Sequence, residues 1–202
     1  RQELRAFLEK AQIPAGCTML GLSALPSDHP LNMGMLGMHG NLGPNVMTNQ
    51  CDLLIAVGMR FDDRVTGNLK NYAKQAKVIH FEIDPSEINK NVKVNLAVLG
   101  DCKQTLAAVT EPKHQSWIDG FKPYAEKEYN KVIKKALEPS EGPLLMGEVV
   151  AKVSEATNHE AVLVTDVGQN QLFGCRYFRF KKGRSTITSG GCGTMGFGLP
   201  AA

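Results

Sequence analysis

The sequence of 202 residues lacks the marks of several protein classes. No apolar run approaches the roughly 20 residues that a membrane-spanning helix needs, and residues 1–5 do not resemble a signal peptide. The net charge of +3 is small and dispersed, which argues against nucleic acid or a membrane as partner. There is no methionine at position 1, so we expect that the first residues of a longer chain are missing.

Cysteine is scarce and unsuited to cross-linking. The five cysteines are Cys17, Cys51, Cys102, Cys175 and Cys192. Their number is odd, their spacing is wide and no CxxC pair occurs, which argues against a disulfide framework and against a zinc site. The histidines other than His39 show no ligand spacing, so no metal site is predicted. We expect buried thiols in a cytoplasmic protein.

Continuous apolar runs predict buried parallel strands in the first half of the chain. The strongest runs are CDLLIAVG at 51–58 and KVIHFEID at 77–84, with shorter ones at 17–21 and 94–100. Between and before them, helices are predicted near 4–8, at 67–75 and at 85–91. This alternation predicts a doubly wound parallel α/β sheet.

The composition changes after this sheet. Residues 113–141 contain the only tryptophan and many Lys and Glu residues, and we predict a solvated linker helix from about 117 to 137. A second α/β unit follows, with a helix whose apolar residues recur on one face and a buried strand at 161–165. Those apolar residues are Leu145, Val149, Val153 and Ala156. Because the chain stops at Ala202, where a further helix should begin, we expect this unit to be truncated.

The residues that follow the strands of the first sheet suit a nucleotide-like ligand, because ligands of such sheets bind at the carboxyl ends of the strands. GMRFDDR at 58–64 offers a glycine for close approach and forked arginines for phosphate. Acidic residues at 82–84 and 100–101 suit sugar hydroxyls. The alternative is that Arg60, Asp62, Asp63 and Arg64 form only structural ion pairs. No GxGxxG turn supports dinucleotide binding.

Two glycine-rich segments carry further candidates. MLGMHG at 35–40 either lines a cofactor or substrate channel or is a loop whose methionines fill a gap while His39 is solvated. The run SGGCGTMGFGLP at 189–200, together with Gly168, fits either a phosphate cradle or a tight structural turn. No nucleophile has a visible base and orienting partner.

Taken together, these motifs resemble the large catalytic subunit of the acetohydroxyacid synthase (acetolactate synthase) family. RFDDRVTG at 60–67 is the most specific, and MLGMHG and CDLLIAVGM precede it in the family's order. TDVGQNQ at 165–171 and TSGGCGTMGFGLPAA at 188–202 resemble the opening of the family's thiamine-diphosphate domain. The resemblance covers essentially the whole chain.

The resemblance implies three parts: a central FAD-binding domain at 1–112 without its first strand, a linker helix at 113–141, and the N-terminal part of a thiamine-diphosphate-binding domain at 142–202. It implies an enzyme that decarboxylates pyruvate and joins the two-carbon unit to pyruvate or 2-oxobutyrate. The products, 2-acetolactate and 2-aceto-2-hydroxybutyrate, serve branched-chain amino acid biosynthesis. Thiamine diphosphate, Mg²⁺ and FAD are the implied cofactors. A cytoplasmic homo-oligomer is implied, with a small regulatory subunit as candidate partner.

The resemblance also implies contacts residue by residue. Those to FAD are Thr18, Met19, Leu20, His39, Gly58, Arg60, Asp62, Arg64, Val65, Glu82, Ile83, Gly100 and Asp101. Those to thiamine diphosphate are Val167, Gly168, Gln169 and Asn170 at the diphosphate, and Gly193 and Met195 at the aminopyrimidine. Asn170 stands where many members have histidine, and 41–44 depart from the usual pattern.

No catalytic residue is assigned to these 202 residues, because the glutamate that activates the pyrimidine belongs to a domain absent from the sequence. The family's magnesium motif would lie beyond Ala202, so no metal ligand is assigned either. We therefore expect this stretch alone to be inactive. The alternatives are a sister thiamine-diphosphate enzyme, of the pyruvate oxidase, decarboxylase or glyoxylate carboligase type, and a non-catalytic nucleotide-binding module.

Overall fold

The computed structural model describes residues 1–108, 114–138 and 142–202. The strands are β1 (Ala15–Cys17), β2 (Asn32–Met35), β3 (Leu53–Val57), β4 (Lys77–Glu82), β5 (Leu96–Leu99), β6 (Leu163–Val164) and β7 (Thr186–Ile187). All pairs between them in the described residues are parallel: β1 with β2, β4 with both β3 and β5, and β6 with β7. The predicted α/β class with parallel sheets is confirmed.

The helices are mostly short. They are α1 (Gln2–Ala11), α2 (Leu42–Thr48), α3 (Asp63–Thr66), α4 (Cys102–Thr105), α5 (Gln115–Asp119), α6 (Lys122–Glu128), α7 (Lys134–Leu137), α8 (Met146–Ala156), α9 (Gln169–Tyr177) and α10 (Gly198–Ala201). Turns of 3₁₀ helix lie at Met19–Gly21, Pro85–Glu87, Leu106–Ala108 and Gly190–Cys192, and a π-helical turn at Tyr129–Ile133 joins α6 to α7.

The central strand β4 is buried on both faces, as its continuous apolar run predicts. On one face, Phe81 packs with the apolar side of α1 in a core that includes Phe7 and Leu8. On the other face, Val78 packs with Phe61 and with the turns that follow α3. Successive side chains of a strand point to opposite faces, so one strand anchors both cores and fixes where its carboxyl end lies.

The second α/β unit packs directly on the first. The N–H of Ser27 donates to the carbonyl of Phe180 at 2.8 Å, and the N–H of Phe180 donates to the Ser27 hydroxyl at 2.8 Å. The N–H of Ser185 donates to the Ser23 hydroxyl at 3.2 Å, where both serines are buried. These bonds hold the loop after β1 beside the segment that leads into β7.

The strand predicted at 17–21 is wrong beyond Cys17. Thr18 ends β1, because its hydroxyl accepts the N–H of Gly21 at 3.3 Å and closes a 3₁₀ turn. Strand β2 and helix α2 were not predicted. Gly34 lies within β2 at a φ of 100°, and α2 has neither an apolar periodicity nor a side-chain cap, so sequence signals for both are weak.

The helices predicted at 67–75 and 85–91 are also wrong. Gly67, at a φ of 56°, ends α3, and turns follow it. At 85–91 only the turn Pro85–Glu87 is helical, and Asn89 has a φ of 60°. Left-handed residues interrupt a right-handed helix, and asparagine adopts that conformation more readily than most residues.

The linker helix predicted from 117 to 137 is interrupted and is not fully solvated. It breaks between α5 and α6, where Pro123 occupies the first turn of α6 and lacks the N–H that a continuous helix would need. Glu128 at the end of α6 is buried. The charged composition of this segment therefore conceals one buried carboxylate.

Helix α8 forms as predicted, but its apolar face is the exposed one. Val149 and Val153 are 41% and 52% exposed. Gly147 and Ser154 form the buried side, where the Ser154 hydroxyl accepts the N–H of Arg179 at 3.0 Å. The core expected on the valine face is therefore absent from the described residues.

The glycine run at 189–200 leads into a short helix at the end of the sequence. Helix α10 takes in the last glycine of the run and ends at Ala201, and the N–H of Ala202 donates to the carbonyl of Leu199 at 3.3 Å. The sequence predicts that a helix begins where the chain stops, and the structure has the first turn of such a helix at Gly198–Ala201.

The cysteines follow the sequence prediction with two exceptions. All five are unpaired, and Cys17, Cys51 and Cys175 are buried. Cys102 is only half-buried, and Cys192 is exposed in the glycine run. Within the described ranges, no helix has both the length and the apolarity to cross a membrane.

Candidate functional site

The loop after β3 presents the predicted arginine and aspartate side chains at the strand's carboxyl end. Arg60 Nη2 donates to Asp62 Oδ2 at 2.9 Å, and the Arg60 side chain remains 54% exposed. Asp62 begins α3 and accepts the Arg64 N–H at 3.1 Å. That N–H, reinforced by the charges of Arg60 and Arg64, holds the pKa of Asp62 below its usual value. The Arg60–Asp62 ion pair forms, and the Arg60 side chain is still exposed enough to contact a ligand.

Phe61 anchors this loop in the core beneath it by burying its side chain. The sequence prediction did not include this residue. Its side chain is 1% exposed and packs edge-on against His80, with ring centroids 5.1 Å apart. Its backbone has a φ of 52°, a strained conformation for a bulky residue. Asn91 donates to the carbonyls of Arg60 and Phe61 at 3.3 and 3.1 Å. An aromatic side chain between Arg60 and Asp62 was the available signal.

The loop 35–40 lies against α3. The N–H of Met38 donates to the carbonyl of Arg64 at 2.8 Å. Gly37 has a φ of 103°, and a Cβ there would lie 2.8 Å from that same carbonyl and 3.3 Å from Val65 Cα. The loop therefore needs glycine at this position, and it brings His39, which is exposed, beside the Arg60–Gly67 segment.

A cavity of about 370 Å³ opens between β1 and β3. Thr18, Leu20 and Gly58 line it at the carboxyl ends of the two strands, and aliphatic residues of α1 and β3 line its interior. Gly58 has a φ of 60°, with no heavy atom within 4 Å of the position that a Cβ would take. This end of the cavity suits a ligand that combines an apolar ring with phosphate groups.

The predicted carboxylates at the ends of β4 and β5 already accept hydrogen bonds from nearby backbone N–H groups. Glu82 is buried, and its Oε1 accepts the N–H groups of Ile83 at 2.8 Å and Asp84 at 3.2 Å. Asp101 begins α4 and accepts the N–H of Lys103 at 2.8 Å. Gly100 bonds to the carbonyl of Glu82 at 3.0 Å. Ile83 is 69% exposed, so its side chain stays accessible at this strand end.

The second unit has a candidate site of its own at the start of α9. Gly168 precedes the helix with a φ of 107°, and no heavy atom lies within 4 Å of the position of a Cβ. The first N–H groups of a helix have no partner within the helix and attract anions. Gln169 and Asn170 are exposed in this first turn, and Val167 is half-buried beside them. The geometry fits a diphosphate.

Asp166 organises the glycine run, which the sequence prediction did not foresee. Its Oδ1 accepts the N–H groups of Val167 at 2.8 Å and Gly196 at 2.9 Å, and its Oδ2 accepts that of Gly198 at 3.3 Å. These bonds, that from Val167 foremost, lower the pKa of Asp166. The signal was an acidic residue directly after a buried strand, the feature used for β4.

The glycine run of the second unit lies against the strand ends of the first unit. A Cβ on Gly191 would lie 3.2 Å from Arg60 Nη2, and one on Gly190 would lie 3.3 Å from Leu20. Predicted FAD-side residues thus lie against the glycine run of the second unit. Gly193, with open space around it, and Met195, 81% exposed, follow on that run.

Metal ligation has no clear residues in this part of the protein. No group of three or more His, Cys, Asp and Glu side chains that could hold a metal ion occurs within 1–108, 114–138 and 142–202. Asp166, two residues before Gly168, already accepts three backbone N–H groups with its carboxylate. The magnesium motif expected beyond Ala202 falls outside these residues and stays a prediction.

Comparison with known proteins gives two family matches. The model described as "Thiamine pyrophosphate enzyme, central domain" matches residues 1–109. The model described as "Thiamine pyrophosphate enzyme, C-terminal TPP binding domain" matches residues 166–202. The first match contains the strand ends of the first unit, and the second contains Asp166, Gly168 and the glycine run.

Similar proteins cover the chain from end to end. It is 41% identical to the acetolactate synthase large subunit of Parasynechococcus marenigrum, an alignment that covers 98% of this chain and 32% of that protein. It is 41% identical to the acetolactate synthase isozyme 2 large subunit of Escherichia coli, over 98% of this chain and 36% of that protein. The chain is 38% identical to acetolactate synthase 1, chloroplastic, of Oryza sativa, over 99% of this chain and 32% of that protein. The chain thus spans about a third of the length of these curated relatives.

Proposed function

The chain belongs to the thiamine pyrophosphate enzyme family, and we propose that it is part of an acetolactate synthase large subunit. The reaction is decarboxylation of pyruvate followed by transfer of the two-carbon unit to pyruvate or 2-oxobutyrate. The observation that carries this proposal is about 40% identity, over nearly the whole chain, to proteins named as acetolactate synthase large subunits. The sister enzymes and the non-catalytic binding module are the alternatives that the test below distinguishes.

Thiamine diphosphate binds at the second unit, where the start of α9 receives its diphosphate. Gly168 lets the backbone approach the phosphates, and the N–H groups of Gln169 and Asn170 donate to them. Gly193 and Met195 contact the aminopyrimidine from the glycine run. Bound thiamine diphosphate supplies the electron sink for decarboxylation of a 2-oxo acid. The contribution of these residues is to hold and orient the cofactor.

FAD binds at the carboxyl ends of the first unit's strands. The half-exposed Arg60 guanidinium donates to a phosphate oxygen, and Asp62 and Phe61 fix its position. Thr18, Leu20 and Gly58 border the cavity that receives the ring system. Mg²⁺ is the third cofactor of the proposal and would be held by the magnesium motif that the resemblance implies, not by residues named here.

The proposal keeps the predicted domain limits of 1–112 for FAD, 113–141 for the linker and 142–202 for thiamine diphosphate. The protein is a cytoplasmic homo-oligomer, with a small regulatory subunit as candidate partner. Unpaired cysteines in the described residues support a reducing compartment.

The test uses the full-length protein that contains this sequence, supplied with thiamine diphosphate, Mg²⁺, FAD and pyruvate. We expect acetolactate that disappears when any one cofactor is omitted. Acetate or acetaldehyde without acetolactate would identify a sister enzyme instead, and no turnover together with retained nucleotide binding would favour the binding module.

Arg60→Ala tests the FAD site separately. Because a hydrogen bond to a charged group is lost, we expect the dissociation constant for FAD to rise about tenfold or more. Arg5→Ala is the matched control, since Arg5 is also about half exposed and also pairs with a carboxylate, that of Glu9 at 2.7 Å. Flavin fluorescence titration measures both variants. Equal affinity in the two variants would remove Arg60 from the site.

A further inference from the structure

Glu128 makes contacts that its charged surroundings in sequence do not suggest. It ends α6 with its side chain 8% exposed. Its carboxylate accepts the N–H of Leu42 at 2.9 Å and Asn41 Nδ2 at 3.4 Å. It also forms an ion pair with Arg176. A buried carboxylate is costly unless paired and hydrogen-bonded, and here both conditions are met.

Arg176 completes the contact from the second unit. It lies near the end of α9, the helix whose first turn is the candidate site for a diphosphate. Its side chain is 21% exposed. Beyond the ion pair, its Nη1 reaches the carbonyls of His39 and Gly40, each at 3.5 Å. One guanidinium therefore holds both Glu128 and the loop that lies beside the Arg60–Gly67 segment.

The loop that these groups hold is tightly built. Asn41 donates its N–H to the carbonyl of Met35 at 2.7 Å, and its side-chain oxygen accepts the N–H of Met35 at 2.8 Å. A Cβ on Gly40 would overlap the Met35 carbonyl. A segment packed this closely transmits displacement of one end to the other, because it has little freedom to deform.

We propose that Glu128 and Arg176 are positioning residues: together they form a clamp that fixes the loop 37–42 relative to α9. The clamp sets the spacing between the flavin side and the thiamine diphosphate side of the site. This inference rests on the proposed function for its effect on cofactors, but the loop's position is measurable without it.

Stability and positioning can be separated by the choice of variants. Removing one partner of a buried ion pair leaves an uncompensated charge and destabilises the fold. Replacing both partners by apolar residues of similar volume often restores stability. Such a pair cannot donate to the carbonyls of His39 and Gly40 or accept from Leu42, so it cannot restore the position of the loop.

The experiment compares Glu128→Gln, Arg176→Met and the double variant Glu128→Leu/Arg176→Met in the full-length protein with its cofactors. Amide hydrogen exchange over 37–42, the dissociation constant for FAD and Tm are measured. We expect the single variants to lower Tm and the double variant to recover most of it. In all three, exchange over 37–42 should rise about tenfold, and the dissociation constant for FAD should rise about tenfold.

Glu160→Gln/Lys182→Met is the control, because that pair, 2.8 Å apart, is more than half exposed and distant in sequence from the loop. The proposal would be overturned if the double variant recovered not only Tm but also the wild-type loop exchange and the wild-type affinity for FAD. If the wild-type protein made no acetolactate, the proposed function would fail, while the exchange data would still decide the clamp.

Discussion

Asp166 controls the shape of a segment that has few side chains of its own. Its two carboxylate oxygens accept N–H groups from Val167, Gly196 and Gly198, so the glycine run is held by a residue thirty positions earlier. A run rich in glycine loses much conformational entropy on ordering. The carboxylate offsets part of that loss and keeps the run beside Arg60.

We therefore predict that Asp166→Ala disorders the glycine run, while Asp166→Glu does so less because it keeps the charge. Since the N–H groups lower the pKa of Asp166, the ordered run is stable above the usual value of 3.8. It loosens only as the pH falls through the lowered pKa. Amide exchange at Thr194–Gly198 measures this. Unchanged exchange in Asp166→Ala at neutral pH would contradict it.

Thiol labelling tests the burial of the cysteines. Burial raises the pKa values of Cys17, Cys51 and Cys175 to about 11 each. Because the thiolate is the reactive form, we predict that the exposed Cys192 is alkylated first at pH 8 and these three last. Peptide mass spectrometry after timed alkylation gives the order, and denatured protein, in which all five react alike, is the control. Early labelling of Cys175 would contradict the packing around α9.

Individual residues were predicted well where their chemistry is visible in sequence. The Arg60–Asp62 ion pair was considered as the alternative to a ligand site, and the glycine at the start of α9 was singled out in advance. Burial was expected of all the thiols and holds for Cys17, Cys51 and Cys175. Phe61 and Asn91 were not, because a strained backbone and a cross-loop hydrogen bond leave no pattern in composition. Glu128 was hidden for the same reason, since its burial depends on residues far away in the chain.

At the scale of elements, the backbone at the start of α9 leads to a prediction about cofactor binding. We predict that Gly168→Ala weakens thiamine diphosphate binding, because the backbone at Gly168, with a φ of 107° and a ψ of −150°, costs a side-chain-bearing residue about 1–3 kcal/mol and the new methyl group occupies the open space. Isothermal titration with thiamine diphosphate measures the change.

Gly142→Ala is the matched control for this substitution. Gly142 has a φ of 139° and equally open surroundings, but it lies outside the second family match. Both variants should lose stability to a similar degree, whereas only Gly168→Ala should lose affinity. Equal losses of affinity would show that strain alone is responsible.

Strands β3, β4 and β5 and helices α1 and α8 form where the hydrophobic pattern predicts elements of these types. Their burial was predicted less well, since Leu96 and Leu99 of β5 are 54% and 56% exposed and the apolar face of α8 is exposed. The segments at 67–75 and 85–91 failed because local capping decides them: Asn68 accepts the Lys70 N–H at 3.0 Å, and Asp84 accepts the Ser86 N–H at 2.8 Å. Such turns compete with helix formation, and pattern alone does not weigh that competition.

At the scale of the whole molecule, the described residues leave several large apolar side chains exposed close together in the chain. Helix α8 presents Val149 and Val153, and nearby Leu144, Leu145 and Met146 are also at least 40% exposed. Contiguous apolar patches on a protein surface mark interaction sites or aggregation liabilities. This face needs a cover that the described residues do not supply.

We predict that the 202-residue polypeptide, expressed alone, self-associates through this face. Light scattering after size-exclusion chromatography should show a mass that rises with concentration, and Val149→Glu/Val153→Glu should reduce it. Lys74→Glu/Lys77→Glu, at exposed positions of the first unit, changes the charge elsewhere and serves as control. A monomer at all concentrations, or an equal effect of both double variants, would contradict the prediction.

The ribosome makes the residues of the clamp in a fixed order. Glu128 lies 86 residues after Leu42 and 48 before Arg176, so at about 5–20 residues per second the ribosome makes Arg176 roughly 2–10 seconds after Glu128. Leu42 and Asn41 are therefore the partners that precede Glu128 in synthesis, and Arg176 is the partner that follows it. The order of synthesis makes the contacts from the first unit available to the carboxylate before the one from α9.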